Sequence, residues 1–103
     1  MSVSTHVLDT ATGRPAAGVA VRLSGADGSA VADRVTDADG RVADLAGDLP
    51  AGTYRLTFDV AGYAGADAFY PEVVIAFRIT VPDAHHHVPL VLSPFAYSTY
   101  RGS

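Results

Sequence analysis

Three consecutive histidines, His85-His86-His87, stand at the start of an apolar, strand-like run. The sequence then reaches a polar tail, Ser98-Thr99-Tyr100-Arg101-Gly102-Ser103, that stops while still in strand register. Both features look out of place in a core. Strand side chains alternate in direction, so His85 and His87 should project to one side and His86 to the other. A neutral imidazole, with an ordinary pKa of about 6.5, is a competent general base near neutral pH. A metal site would need more ligands. His6 would supply a third imidazole, but the histidines lack the local spacing of a zinc motif and the sequence has no cysteine. The expectation is chemistry without metal or cofactor. Each residue also has a plain reading: His6 as a half-buried, hydrogen-bonded strand histidine, Arg41 as a solvated strand-edge cation, and Tyr97 and Tyr100 as amphipathic surface or interface rings.

The elements that must hold these groups are strands. Val3, Thr5 and Val7 alternate with Ser4, His6 and Leu8 until residues 9–18, where Gly13, Pro15 and Gly18 supply turn chemistry. Val19, Val21 and Leu23 then form an inward row opposite Ala20, Arg22 and Ser24, ending at Gly25-Ala26-Asp27-Gly28. A more polar strand over 31–36 runs into Asp37-Ala38-Asp39-Gly40, where aspartates can accept from local backbone N–H groups and Gly40 can take a positive φ. Arg41 opens a short strand over 41–45. Past the 47–52 connection, Tyr54, Leu56, Phe58 and Val60 alternate with Arg55, Thr57 and Asp59, the cleanest half-buried pattern in the sequence. Residues 61–71 are Ala-rich but carry two glycines, which allows a helix of about two turns ended by Pro71. Val73, Ile75, Phe77 and Ile79 mark a long strand, residues 82–84 a loop, and 87–93 and 95–101 two more strands around Ser93-Pro94. The expected fold is all-β: a two-sheet sandwich of eight strands with one short helix.

Composition bounds what such a sandwich can do. With 103 residues, 49% of them apolar and 17% charged, there is material for one packed domain, taken as residues 1–103, and no room for a second catalytic domain. The net charge is -4, and the seven basic residues are all arginines scattered singly, so no nucleic-acid partner is expected. Without cysteine, neither disulfides nor thiolate catalysis is available. Met-Ser-Val-Ser-Thr-His lacks the features of a secretory signal, and no stretch approaches the roughly 20 apolar residues of a membrane span. A cytoplasmic location without membrane contact is expected.

Two segments carry a more specific signal. Ser4-Thr5-His6-Val7-Leu8-Asp9 followed by Gly13-Arg14-Pro15-Ala16 resembles the opening signature of the transthyretin-like 5-hydroxyisourate hydrolases. His87-Val88-Pro89-Leu90, Ser93-Pro94 and Tyr97-Ser98-Thr99-Tyr100-Arg101-Gly102-Ser103 resemble the closing one. The likeness spans the sequence, through Asp39-Gly40-Arg41 and Phe69-Tyr70-Pro71-Glu72-Val73. Transthyretin itself shares the Ser-Pro and Tyr-Ser-Thr portions but lacks the Tyr-Arg-Gly-Ser ending and the histidines. The resemblance implies a catalytic set of His6, Arg41, His87 and Ser103, with Arg41, Tyr100 and Ser103 contacting the substrate. It implies hydrolysis of 5-hydroxyisourate to 2-oxo-4-hydroxy-4-carboxy-5-ureidoimidazoline in urate catabolism, and a homotetramer, a dimer of dimers with a central channel. Its fold is two four-stranded sheets. Within that set the histidines activate water, Arg41 holds the substrate and stabilises developing charge, and Ser103, with its hydroxyl and a terminal carboxylate, is a positioning group. Which histidine is the base stays open. The family usually has tyrosine where His86 stands. The main alternative is a small-molecule carrier with the same channel and no activity, and a third is a β-sandwich adhesion module.

Overall fold

Alternating apolar residues can be buried only by stacking one sheet on another, and the computed structural model, which describes residues 3–103, does so with ten strands and one helix. In chain order the strands are β1 (Val3–Asp9), β2 (Arg14–Pro15), β3 (Ala20–Gly25), β4 (Ala30–Val35), β5 (Arg41–Ala46) and β6 (Gly52–Asp59). After the helix α1 (Val60–Ala64) come β7 (Glu72–Ile79), β8 (His86–His87), β9 (Leu90–Ser93) and β10 (Ala96–Thr99). The all-β sandwich with one short helix is as expected, but the expected count of eight strands is corrected to ten. The turn after β1 contributes a two-residue strand, Arg14–Pro15, and the run expected over 87–93 is two strands. Its interruption falls at Val88-Pro89, where proline has no N–H to offer a ladder.

One sheet has four strands in the order β4-β3-β6-β7; the other has six, running β10-β9-β1-β2 with β5 and β8 also on β1. The expected pair of four-stranded sheets is therefore corrected as well. Between the sheets lies one core: Val3 and Val7 of β1, Val21 and Leu23 of β3, Leu56 and Phe58 of β6, and Val73 of β7 are all nearly inaccessible, joined by Leu45 and Leu90. Val60, expected to continue the β6 row, is buried from the first turn of α1 instead. The Asp59 side chain accepts from Gly62 N–H at 3.1 Å and caps that turn. Among the described residues no helix is long and apolar enough to cross a membrane.

Strand β1 is the element that positions the site. It pairs with β2 and β5 antiparallel and with β8 and β9 parallel, so distant parts of the sequence meet along it. Val3, Thr5 and Val7 point into the core, which leaves Ser4 and His6 on the outer face. On β5, Val3 faces Ala46 while Thr5 faces Val42, so Ala43, Asp44 and Leu45 there stand opposite Ser4 alone on β1. This irregularity leaves Ala43 and Asp44 both exposed and lets Val42 and Leu45, three apart, both turn inward.

Entry into β5 depends on the expected Asp-Ala-Asp-Gly turn. Asp37 Oδ1 accepts from Asp39 N–H at 2.8 Å and from Arg41 N–H at 3.0 Å, and Gly40 adopts φ 73°. A β-carbon at Gly40 would lie 2.5 Å from the Val7 carbonyl oxygen, a backbone atom that cannot swing aside. Gly40→Ala should therefore combine positive-φ strain with a clash. A loss of about 2–3 kcal/mol is expected, read as a lower denaturation midpoint at unchanged m-value.

Candidate active site

Alternation brings the site together on the outer face of the six-stranded sheet. His6 on β1 is the register partner of Arg41 on β5, and two residues back along β1 Ser4 is the register partner of His87 on β8. His87 is held on both sides: the Ser4 carbonyl accepts from Val88 N–H at 2.9 Å, and the His87 carbonyl accepts from Gly102 N–H at 2.9 Å, the latter within an isolated bridge to the tail. A cavity of about 510 Å³ opens in front of these groups. Arg41, His85, His87, Tyr100, Gly102 and Ser103 line it together with Ser4.

Of the residues expected in the site, Arg41, His87, Tyr100 and Ser103 thus surround one cavity. His6 does not line it directly. It sits beside the cavity on the same face, near enough to contribute to the electrostatics of His87. Partial burial, followed by the positive charge of Arg41 and then by His85 and His6, pushes the His87 imidazole below its ordinary pKa, partly offset by hydrogen bonding at Ser4. Its neutral form is therefore favoured at neutral pH, and the neutral form is the one that can take a proton.

Two residues of this face were not in the expected set. Ser4 Oγ lies 2.7 Å from His87 Nδ1 and 2.7 Å from His85 Nε2, and the two rings stack with centroids 6.4 Å apart. The period-two rule that puts His85 and His87 on one side also puts Ser4 on the side of His6, which is the signal that could have found it. His86 corrects the expectation that the triplet lies outside the core. It is only 5% exposed, its Nδ1–H donates to the Ala84 carbonyl at 3.0 Å, and it turns away from the cavity toward Ile75, Phe77 and Val88. Among the described residues, no three His, Cys, Asp or Glu side chains converge in a metal-binding arrangement.

Gly102 has a specific reason to be glycine. A β-carbon there would fall on Cδ2 of the His87 ring, closer than real contacts permit. Gly102→Ala should displace either the imidazole or the tail. The expected outcome is at least a tenfold loss of turnover, about 1.4 kcal/mol of transition-state stabilisation, with the melting temperature nearly unchanged because the core is untouched.

A second cavity, of about 450 Å³, lies between α1 and the β9–β10 turn, lined by Asp9, Tyr63, Phe69 and Phe95 among others. It offers carboxylates and aromatic rings but neither imidazole nor guanidinium, whereas the cavity beside β1 has both in Arg41, His85 and His87.

With this geometry in place, the comparisons with known proteins are decisive. The sequence matches the model of the HIUase/Transthyretin family over residues 3–102. The chain belongs to that family. A 5-hydroxyisourate hydrolase of Deinococcus radiodurans is 51% identical over 114 residues, covering 98% of this chain and 95% of that protein. Among solved structures, the 5-hydroxyisourate hydrolase of Klebsiella pneumoniae has a TM-score of 0.90 at 41% identity over all of both chains. Sea bream transthyretin, solved in complex with thyroxine, has a TM-score of 0.88 at 34% identity, covering 99% of this chain and 95% of that one. One fold thus carries both a 5-hydroxyisourate hydrolase and a transthyretin solved in complex with thyroxine, so the fold alone does not choose between an enzyme and a binding protein.

Proposed function

We propose that this protein hydrolyses 5-hydroxyisourate, the product of urate oxidation, to 2-oxo-4-hydroxy-4-carboxy-5-ureidoimidazoline, with residues 1–103 acting as one transthyretin-like hydrolase domain. The observation that carries the reading is the meeting of a neutral-leaning His87 imidazole, the Arg41 guanidinium and the Tyr100–Ser103 tail around one cavity. A carrier has no use for a base and a cation placed together, whereas opening a cyclic amide needs both.

In this mechanism His87 takes a proton from water as the oxygen attacks a ring carbonyl. His6, beside it on the same face, is placed to hold that water or the leaving nitrogen. Arg41, permanently cationic and a planar donor, stabilises the oxyanion that develops. Tyr100 forms a wall and Ser103 positions the ring. No covalent intermediate is needed.

The protein acts as a homotetramer, a dimer of dimers, in the cytoplasm. Support for assembly comes from β7 and β10, each at the end of its sheet, and from Phe69 and Phe95, which are 62% and 75% exposed. A second copy across the cavity would also close an otherwise open site. The test is to follow loss of freshly prepared 5-hydroxyisourate by ultraviolet absorbance with and without protein, alongside light scattering. Ring opening by a tetramer is expected. Saturable binding of an aromatic ligand without ring opening would establish the carrier instead, and full activity in a monomer would remove the assembly.

A further inference from the structure

Three places in the molecule lie beyond the expected site: the aromatic cavity beside α1, the buried His86 with its partnerless Nε2, and the hydroxyl of Ser4 between two imidazoles. Nothing in the structure identifies an occupant for the first two. The third has a definite chemistry. A serine hydroxyl carries one hydrogen and can also accept. With imidazole nitrogens at 2.7 Å on two sides, it can donate to only one ring, and it accepts from the other when that nitrogen carries hydrogen. The tautomers of His85 and His87 are therefore coupled through Ser4, and two forms of the unit let a proton pass along it. In one, His87 Nδ1–H donates to Ser4 Oγ and Ser4 O–H donates to His85 Nε2, which leaves His87 Nε2 as a bare lone pair. In the other the directions reverse, and His87 Nε2 carries a hydrogen.

We propose that Ser4 is a positioning residue that fixes the tautomer of His87 and connects it to His85 as a proton relay during hydrolysis. The inference rests on the hydrolase reading of the same cavity. As the water oxygen bonds to the substrate carbonyl carbon, its proton passes to His87 Nε2. The Nδ1 proton of His87 passes to Ser4 Oγ, and the Ser4 hydroxyl proton passes to His85 Nε2. His87 ends neutral in its other tautomer, and His85 ends as the imidazolium. In collapse of the tetrahedral intermediate the leaving nitrogen takes the Nε2 proton of His87. Ser4 then returns a proton to Nδ1 and recovers one from His85, so the net change is the addition of one water.

The electrostatics give the relay its purpose. A charge left on His87 would sit half-buried beside the Arg41 guanidinium, whereas His85 is the more exposed of the two rings. The relay carries the proton's charge away from a place where it is costly. It also lets one imidazole serve as base and then as acid. Ser4 is held firmly between the two rings, being only 6% exposed and having its carbonyl bonded to Val88 N–H in the parallel ladder with β8.

The test combines kinetics with long-range ¹H–¹⁵N spectra of the imidazoles in the full-length protein. In wild type the His87 signals should report a protonated Nδ1 and a bare Nε2, and kcat measured across H2O/D2O mixtures should curve, as expected for more than one proton in flight. Ser4→Ala should lower kcat about tenfold with little change in KM, make the isotope dependence linear and mix the His87 tautomers, and Ser4→Thr, which keeps the hydroxyl, should restore most of the loss. Because Ser4 is buried, His85→Gln provides an independent arm at an exposed position. Glutamine can accept from Ser4 but cannot carry the proton onward, so kcat and isotope behaviour should follow those of Ser4→Ala. Wild-type kcat with a curved isotope dependence in His85→Gln would overturn the relay. A protein with no hydrolase activity but a fixed His87 tautomer that is lost in Ser4→Ala would refute the hydrolase reading and keep the positioning role.

Discussion

His87→Ala should lower kcat/KM by about a thousandfold or more while leaving the fold intact, because it removes the proposed proton acceptor of the bond-making step without touching the core. His87 is half-buried on the outer face, and its backbone is tied to β1 and to Gly102 through main-chain groups that alanine retains. The denaturation midpoint should thus shift little, and KM should change less than kcat. His6→Ala should be milder, since His6 stands beside the cavity rather than on its wall. Combining either substitution with a change at Arg41 should cost much less than the sum of the separate effects, as for residues that act as one unit. Retention of even a tenth of wild-type kcat/KM in His87→Ala would remove it from the chemistry.

The second large effect is expected at Arg41, where activity and titration should move together. Arg41→Gln removes the cation assigned to the oxyanion and should lower kcat by about 10²–10³-fold. It should also raise the His87 pKa, because the first charged neighbour holding that value down is gone. In wild type the acid limb of kcat/KM should lie below the ordinary histidine value of about 6.5, with activity lost as pH falls through the His87 pKa. In Arg41→Gln the residual activity should fade at higher pH, and the His87 resonance should titrate at a correspondingly higher midpoint. Stability follows the same sign. His87 protonates more readily in the unfolded chain, so its contribution is present above the ordinary histidine pKa and declines as pH falls below it. An unchanged midpoint in Arg41→Gln would show that burial alone sets the His87 pKa.

Much of this site was legible in the sequence because it rests on period-two alternation and turn chemistry, both local. The Tyr54-Leu56-Phe58 row, the Asp37–Gly40 turn and the opposed directions of His86 and His87 follow directly from residue order. The parts that escaped are set by pairing between distant segments. Ser4 gains its meaning only when β8 docks parallel to β1, more than eighty residues away in sequence, and no local pattern encodes that docking. The β5 irregularity that exposes Ala43 and Asp44 together depends on where β5 meets β1. The burial of His86 follows from β7 and the tail lying over one side of a two-residue strand, where the sequence offers only three like residues in a row.

The position of β1 also bears on how such a site can change over time. The strand that carries Ser4 and His6 on one side carries Val3, Thr5 and Val7 into the core on the other, and four partner strands fix its register. Drift in its register would exchange the two faces, so almost any rearrangement there would be eliminated as a folding defect before its chemistry was tried. The tail from Tyr100 to Ser103 is bridged to His87, and none of its residues belongs to the main hydrophobic core. New ring shapes or new ligands are therefore open to exploration by substitutions in the tail at little risk to folding, while β1 holds the frame. A fold divided in this way can carry different chemistries on one frame without first becoming unstable.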